Sequence, residues 1–156
     1  MRHILALMVL LGSFAAFAGP DLPYPEAADA RAELRQAQAG ARQDGRPLLL
    51  VFGANWCEDC RALDRALRGE RNARLIAREF RVVKIDVGRF DRNLDIVAAY
   101  GNPIKQGIPA AVIVTAAGRV AYATRAGELA NARRMNEEGV HGFFREALAQ
   151  AKHGGS

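Results

Sequence analysis

Leu48-Leu49-Leu50-Val51-Phe52-Gly53-Ala54-Asn55-Trp56-Cys57-Glu58-Asp59-Cys60 is the stretch whose reading decides the fold. The apolar run 48–52 is continuous, the pattern of a strand covered on both faces. Gly53 to Asn55 turns the chain, and residues 61–68 then read as a helix. Cys57 and Cys60 are the only two cysteines in the sequence. A strand, a short loop and a C-x-x-C that opens a helix is the sequence form of a redox dithiol.

The spacing has a chemical reason. The nucleophile of thiol–disulfide exchange is a thiolate, and a free cysteine is mostly protonated at neutral pH. At a helix N-terminus the unpaired backbone N–H groups and the macrodipole favour an anion, which assigns that role to Cys57. Cys60 falls one turn later on the same side of the helix. From there it can attack a mixed disulfide formed by Cys57, releasing the bound sulfur and closing an internal disulfide. Trp56 offers a flat apolar surface beside the pair. A purely structural disulfide here would close a tiny loop and constrain the unfolded chain little. A closed zinc site lacks ligands, since only His141 and His153 lie downstream and no second C-x-x-C exists. A copper site of two cysteines and one histidine stays open.

Upstream, residues 1–18 read as a secretion signal. Arg2 and His3 form a basic start, residues 4–11 are apolar, and Ala16-Phe17-Ala18 is an A-x-A pattern before Gly19. The apolar run is short for a membrane span and has no basic stop-transfer flank. The expectation is cleavage near Ala18-Gly19 and a mature chain in the periplasm or secreted, not membrane-integrated. Losing Arg2 leaves 21 basic against 17 acidic side chains, a formal charge of +4 instead of +5. The basic residues are scattered singly among Asp and Glu, with no basic run interleaved with aromatics, so nucleic-acid binding does not follow from the sequence pI of 9.8. Residues 19–27 carry three prolines and read as an extended mature N-terminus. Residues 27–44 follow as a helix with Leu34 its main apolar anchor, ended by Gly45 and Pro47.

Downstream, residues 72–80 form a second short helical piece with Leu75, Ile76 and Phe80 as contacts. Residues 81–87 are a strand and 91–100 a helix, so strand and helix alternate as in a βαβ unit with parallel strands. After Gly107-Ile108-Pro109, residues 111–115 and 119–124 make a hairpin around Ala116-Ala117-Gly118. Residues 136–151 close the chain as a helix with Val140, Phe143, Phe144 and Leu148 at helical spacing. The segment 127–138 reads as a solvated extra helical turn, with a partner-recognition loop as the alternative. His141 reads as a surface or helix-packing histidine.

From about residue 28 to 152 the chain resembles a thioredoxin-like domain. The likeness rests on Trp56-Cys57-x-x-Cys60 after a strand, Gly107-Ile108-Pro109 before the next strand of the sheet, and the element order. It implies an α/β fold with a central mixed sheet of about four to five strands flanked by helices, and a flexible tail at 153–156. It also implies that the Ile108–Pro109 bond is cis beside the dithiol and that Ile108 presents backbone groups to a substrate peptide, although most X–Pro bonds are trans. Trp56, Ile108 and Pro109 are therefore the expected substrate-binding residues.

The departures from that family are informative. Thioredoxins proper carry Gly-Pro between the cysteines, where this chain has Glu58-Asp59. They have a buried Asp six residues before the first cysteine, where this chain has Val51. The lysine usual on the next strand is not evident, Lys84 being shifted out of the matching position. Two carboxylates at roughly 5–8 Å oppose a thiolate at Cys57 by about 0.5–2 kcal/mol in a solvent-like dielectric, with Arg61 and Arg65 as candidates to offset them. Glu58 and Asp59 also suit a helix N-terminus. A higher thiol pKa goes with a more reducing couple.

The resemblance thus implies an enzyme: an exported thiol–disulfide oxidoreductase with Cys57 and Cys60 catalytic and Glu58 and Asp59 tuning the pKa. It is expected to act on protein thiols and disulfides from the reducing side, with no metal or organic cofactor. Because no flavin or nicotinamide motif is present, a redox partner protein must supply or accept the electrons. The alternative is a thioredoxin-like copper-binding chaperone or a non-catalytic folding adaptor.

Overall fold

The computed structural model describes residues 22–153. The expected signal at 1–18, residues 19–21 of the extended N-terminus and residues 154–156 of the tail lie outside them. Helix α1 spans Ala30–Asp44. It starts three residues later than the sequence suggests, because Asp29 is its N-cap and accepts the Ala32 N–H at 3.0 Å. Gly45 ends it at φ 76°, a left-handed conformation in which its N–H reaches the Ala41 carbonyl at 2.8 Å. The small residues Ala30 and Ala41, not Leu34, are the ones fully buried.

Strand β1 (Leu48–Gly53) is buried along its whole length. It pairs parallel with β2 (Arg81–Asp86) and antiparallel with β3 (Ala110–Val114), which pairs in turn with β4 (Val120–Ala123). Among the described residues the sheet therefore has four strands in the order β2-β1-β3-β4. Burying each Leu, Val or Phe of β1 contributes about 1.5–3 kcal/mol relative to exposure, so this strand anchors the core. The β1-to-β2 crossover carries α2 (Glu58–Arg68) and α3 (Glu70–Glu79), as a parallel pair requires. Lys84 is not out of line with β1: it stands directly opposite Val51. Its ammonium pairs with Asp64 of α2.

Helix α4 is only Leu94–Ala99. The residues expected to begin it are bent away, with Phe90 at φ 63° and Asn93 at φ 52°, and the Asn93 amide donates to the Asp86 carbonyl at 2.7 Å. A 3₁₀ turn at Pro103–Gln106, unmarked in the sequence pattern, leads to the Ile108–Pro109 loop. A second 3₁₀ turn, Ala132–Arg134, lies within 127–138. The expected extra turn is there with Arg133 and Arg134 exposed to solvent, and it is anchored against α2 by the fully buried Leu129 and Ala132. Helix α5 (Glu137–His153) buries Val140, Phe144 and Leu148. Its His141 shares a short contact with Asn72 (Nδ1 to Oδ1, 2.9 Å), while the Asn72 amide donates to the Ala66 carbonyl at 2.9 Å, so the histidine serves helix packing. Among the described residues no helix is long and apolar enough to cross a membrane.

Candidate dithiol site

The end of β1 and the start of α2 set both cysteines. Cys57 is the N-cap of α2, with extended backbone, and its sulfur accepts the Cys60 N–H at 3.1 Å. That contact puts the sulfur on the positive end of the helix. The two cysteines are joined in a disulfide with Cα atoms 5.2 Å apart. Cys57 is 6% exposed and Cys60 is sealed at 0%, so only the first can be reached by another chain.

The other expected site residues converge on Cys57. The Ile108 carbonyl oxygen lies 3.7 Å from its sulfur, and the Ile108–Pro109 peptide is cis. Trp56 is half exposed and anchored by its indole N–H, which donates to the Gly88 carbonyl at 2.8 Å. Phe90 meets it edge-on with ring centroids 6.2 Å apart, and the Arg89 guanidinium sits 5.9 Å from its ring. Glu58 points outward, while Asp59 is nearly buried.

Neither carboxylate is left alone. The Arg133 backbone N–H donates to Asp59 at 2.9 Å, and its guanidinium lies 3.5 Å from Asp59 and 3.3 Å from Glu58. Arg61, named from the sequence as an offsetting charge, instead donates to the Asn55 carbonyl at 2.6 Å and braces the loop before the cysteines. The charge that meets the acidic pair comes from 74 residues away along the chain. Among these three side chains the formal balance is two carboxylates to one guanidinium.

On the far side of the disulfide lies a group that the sequence reading missed. Asn55 uses its side-chain amide as a strand would: its Oδ1 accepts the Tyr24 N–H at 2.9 Å, and its Nδ2 donates to the Tyr24 carbonyl at 2.8 Å and to Glu26 at 2.9 Å. Arg92 adds a bond to the Glu26 carbonyl at 3.1 Å. The segment read as a bare extended N-terminus is thereby strapped across the β1–α2 loop. It delivers Tyr24, 2% exposed, to the inner face of the site. Burial above all, then the charges of Asp64 and Asp86, push the Tyr24 phenol far above its ordinary range. Asp64 follows Cys60 by one turn of α2, pairing with Lys84 and, at 2.8 Å, with Arg68. The available signals were the lone glycine closing an apolar strand and a tyrosine set between two prolines. Among the described residues no three His, Cys, Asp or Glu side chains are grouped to hold a metal ion.

A family model described as thioredoxin-like matches residues 29–116. The chain belongs to the thioredoxin-like family. Its structure is similar to that of a disulphide isomerase from Xylella fastidiosa Temecula1, with a TM-score of 0.81 and 55% identity over 82% of this chain and 98% of the other. The C-terminal domain of DsbD from Neisseria meningitidis in the oxidised form shares the thioredoxin-like fold at a TM-score of 0.57 and 18% identity, covering 77% of this chain and 97% of that one. An oxidoreductase named DsbH shares it at 0.55 and 16% identity, covering 96% and 95%. No curated protein matches the chain. The fold is thus α/β with a mixed sheet, and the C-x-x-C pair of a thioredoxin-like disulfide oxidoreductase is in place at Cys57 and Cys60.

Proposed function

We propose that this chain is an exported thiol–disulfide oxidoreductase that works on protein disulfides from the reducing side. The observation that carries the reading is the asymmetric pair: a barely exposed Cys57 sulfur on a helix N-terminus beside the Ile108 carbonyl, backed by a sealed Cys60. The Cys57 thiolate attacks a substrate disulfide, forming a mixed disulfide and releasing one substrate sulfur. Cys60 then loses its proton and attacks the Cys57 sulfur. The internal disulfide forms, the second substrate sulfur leaves, and a partner protein returns two electrons and two protons. Trp56, Ile108 and Pro109 form the peptide groove, and no metal or organic cofactor takes part.

The direction rests on the balance of two carboxylates to one guanidinium among Glu58, Asp59 and Arg133. It opposes a thiolate, and a less stable thiolate favours the oxidised protein and reduced substrate. The similar Xylella chain, described as a disulphide isomerase, fits the same chemistry, because reshuffling also begins with attack by a reduced dithiol. Export rests on the Ala16-Phe17-Ala18 pattern.

Insulin reduction with a small-molecule thiol as electron source tests the activity, and equilibration with glutathione gives the potential. Turnover that vanishes in Cys57→Ser, with a potential well below that of strongly oxidising exchange proteins, is the expected result. A strongly oxidising potential overturns the direction. Stoichiometric Cu(I) binding without turnover overturns the enzyme in favour of a metallochaperone. Export predicts that the chain recovered from the periplasm begins near Gly19.

A further inference from the structure

Gly53 closes a strand in which every residue is buried. It is not among the glycines with left-handed backbone, so conformational freedom does not explain it. Space does. A Cβ at this position would lie 2.9 Å from the Cys60 sulfur and closer still to the Tyr24 phenol oxygen, and real Cβ atoms essentially never come within 3.0 Å of a neighbour. The missing side chain leaves a gap that the Tyr24 phenol and the Cys60 sulfur both border.

Tyr24 is held there by its backbone as well as its ring. Asn55 engages both its N–H and its carbonyl, at 2.9 and 2.8 Å. The Asp64 and Asp86 carboxylates stand close enough to disfavour an ionised phenol, and burial disfavours it more. The hydroxyl beside Cys60 is therefore a donor that keeps its proton throughout the working pH range and cannot serve as a base.

We propose that Tyr24 is a positioning residue for the second half of the exchange, its hydroxyl donating a hydrogen bond to the Cys60 sulfur as that sulfur becomes anionic. The proposal rests on the dithiol reading above. In this step the Cys60 S–H bond breaks and its proton passes to solvent and then to the departing substrate sulfur. The freed electron pair forms the bond to Cys57 Sγ, and the bond from Cys57 to the substrate breaks. Tyr24 gives up nothing. A thiolate in a sealed pocket is disfavoured by desolvation, and a hydrogen bond to the charged form reverses that selectively. In the opposite direction the same bond stabilises Cys60 as the leaving group.

Mixing the fully reduced protein with one equivalent of 5,5′-dithiobis(2-nitrobenzoate) separates the two halves. Attack by Cys57 releases the first thionitrobenzoate, and attack by Cys60 on the mixed disulfide releases the second. In Tyr24→Phe, which keeps the ring and deletes the hydroxyl, the first phase stays within about twofold of wild type, because Cys57 is untouched. The second has its pH midpoint raised by about one unit and runs about three- to tenfold slower at pH 7, the loss of thiolate being partly offset by the greater nucleophilicity of a more basic sulfur. Above both midpoints it matches or exceeds wild type. A second phase whose pH profile superimposes on wild type, or that slows by one factor at every pH, overturns the role of Tyr24 while leaving the dithiol reading intact. Absence of a second phase in wild type overturns both.

Discussion

Cys57 and Cys60 are bonded to each other and share one helix turn, yet their surroundings have little in common. Around Cys57 stand parts that meet other molecules: a half-exposed indole, an exposed Phe90, a loop carbonyl and a partly neutralised acidic pair. Around Cys60 everything is sealed, and the pieces come from the N-terminal strap, the end of β1 and the interior face of α2. The difference teaches that the dithiol has an outward half set by what approaches it and an inward half set by how the chain closes on itself. An exposed charge near Cys57, such as Glu58 or Arg133, acts through solvent and is worth little; a group near Cys60 acts with far less screening.

The largest effect should come from erasing the contrast. Cys57→Ser is expected to lower turnover by about a thousandfold or more, since no other sulfur can be reached. Cys60→Ser should instead trap substrate on Cys57, as a band shift on non-reducing gels. Equal, complete loss in both variants with no trapped species would show the two halves to be interchangeable.

Next is the strap. Asn55→Ala removes three side-chain hydrogen bonds to residues 24 and 26 and is expected to cost about 2–3 kcal/mol in urea unfolding, with Cys60 becoming open to alkylating reagents in the reduced protein. A cost below about 0.5 kcal/mol would mean that the inner face does not depend on the strap. Asp64→Asn leaves Lys84, a quarter exposed, with a weakened partner; about 1–2 kcal/mol is expected, short of a fully buried pair because the ammonium still reaches water.

How far the two halves could be read beforehand differs in the same way. The outward half was legible, because Trp56, Cys57, Glu58 and Asp59 are contiguous and the Ile108-Pro109 loop carries its own signature. The strands and long helices were legible from periodicity, with errors confined to ends where a cap such as Asp29 or a left-handed residue such as Asn93 decides. The inward half was not. Nothing local says that the Asn55 amide will act as a strand edge for a residue 31 positions earlier, or that the Arg133 backbone will bind Asp59 from 74 positions later. Such polar contacts have no period. Asp64 belongs with them: its pairing with Lys84 crosses from α2 to β2 and carries no local mark in the sequence.

Alkaline pH offers a reading of the inner face by itself. The folded protein holds the Tyr24 phenol above its unfolded pKa of about 10, so the neutral ring's contribution is complete below that pH and declines as pH rises, by about 1.4 kcal/mol per unit. Tyr24→Phe should flatten that alkaline decline in chemical unfolding, and an unchanged slope would place the sensitivity elsewhere. The smallest effect belongs to the outer face. Arg133→Ala deletes the guanidinium beside Glu58 and Asp59, leaving the thiolate more opposed. The potential should fall by up to about 20 mV, the equivalent of an exposed ion pair worth under about 1 kcal/mol. A rise would reverse the sign assigned to the acidic pair.

The vacancy at Gly53 also binds two distant positions of the gene to one another. A ring at 24 admits nothing but hydrogen at 53, and the Cys60 sulfur, 2.9 Å from where a Cβ would lie, presses on the same point. Among descendants of a common ancestor, residue 53 should stay glycine for as long as residue 24 keeps its ring and residue 60 its sulfur.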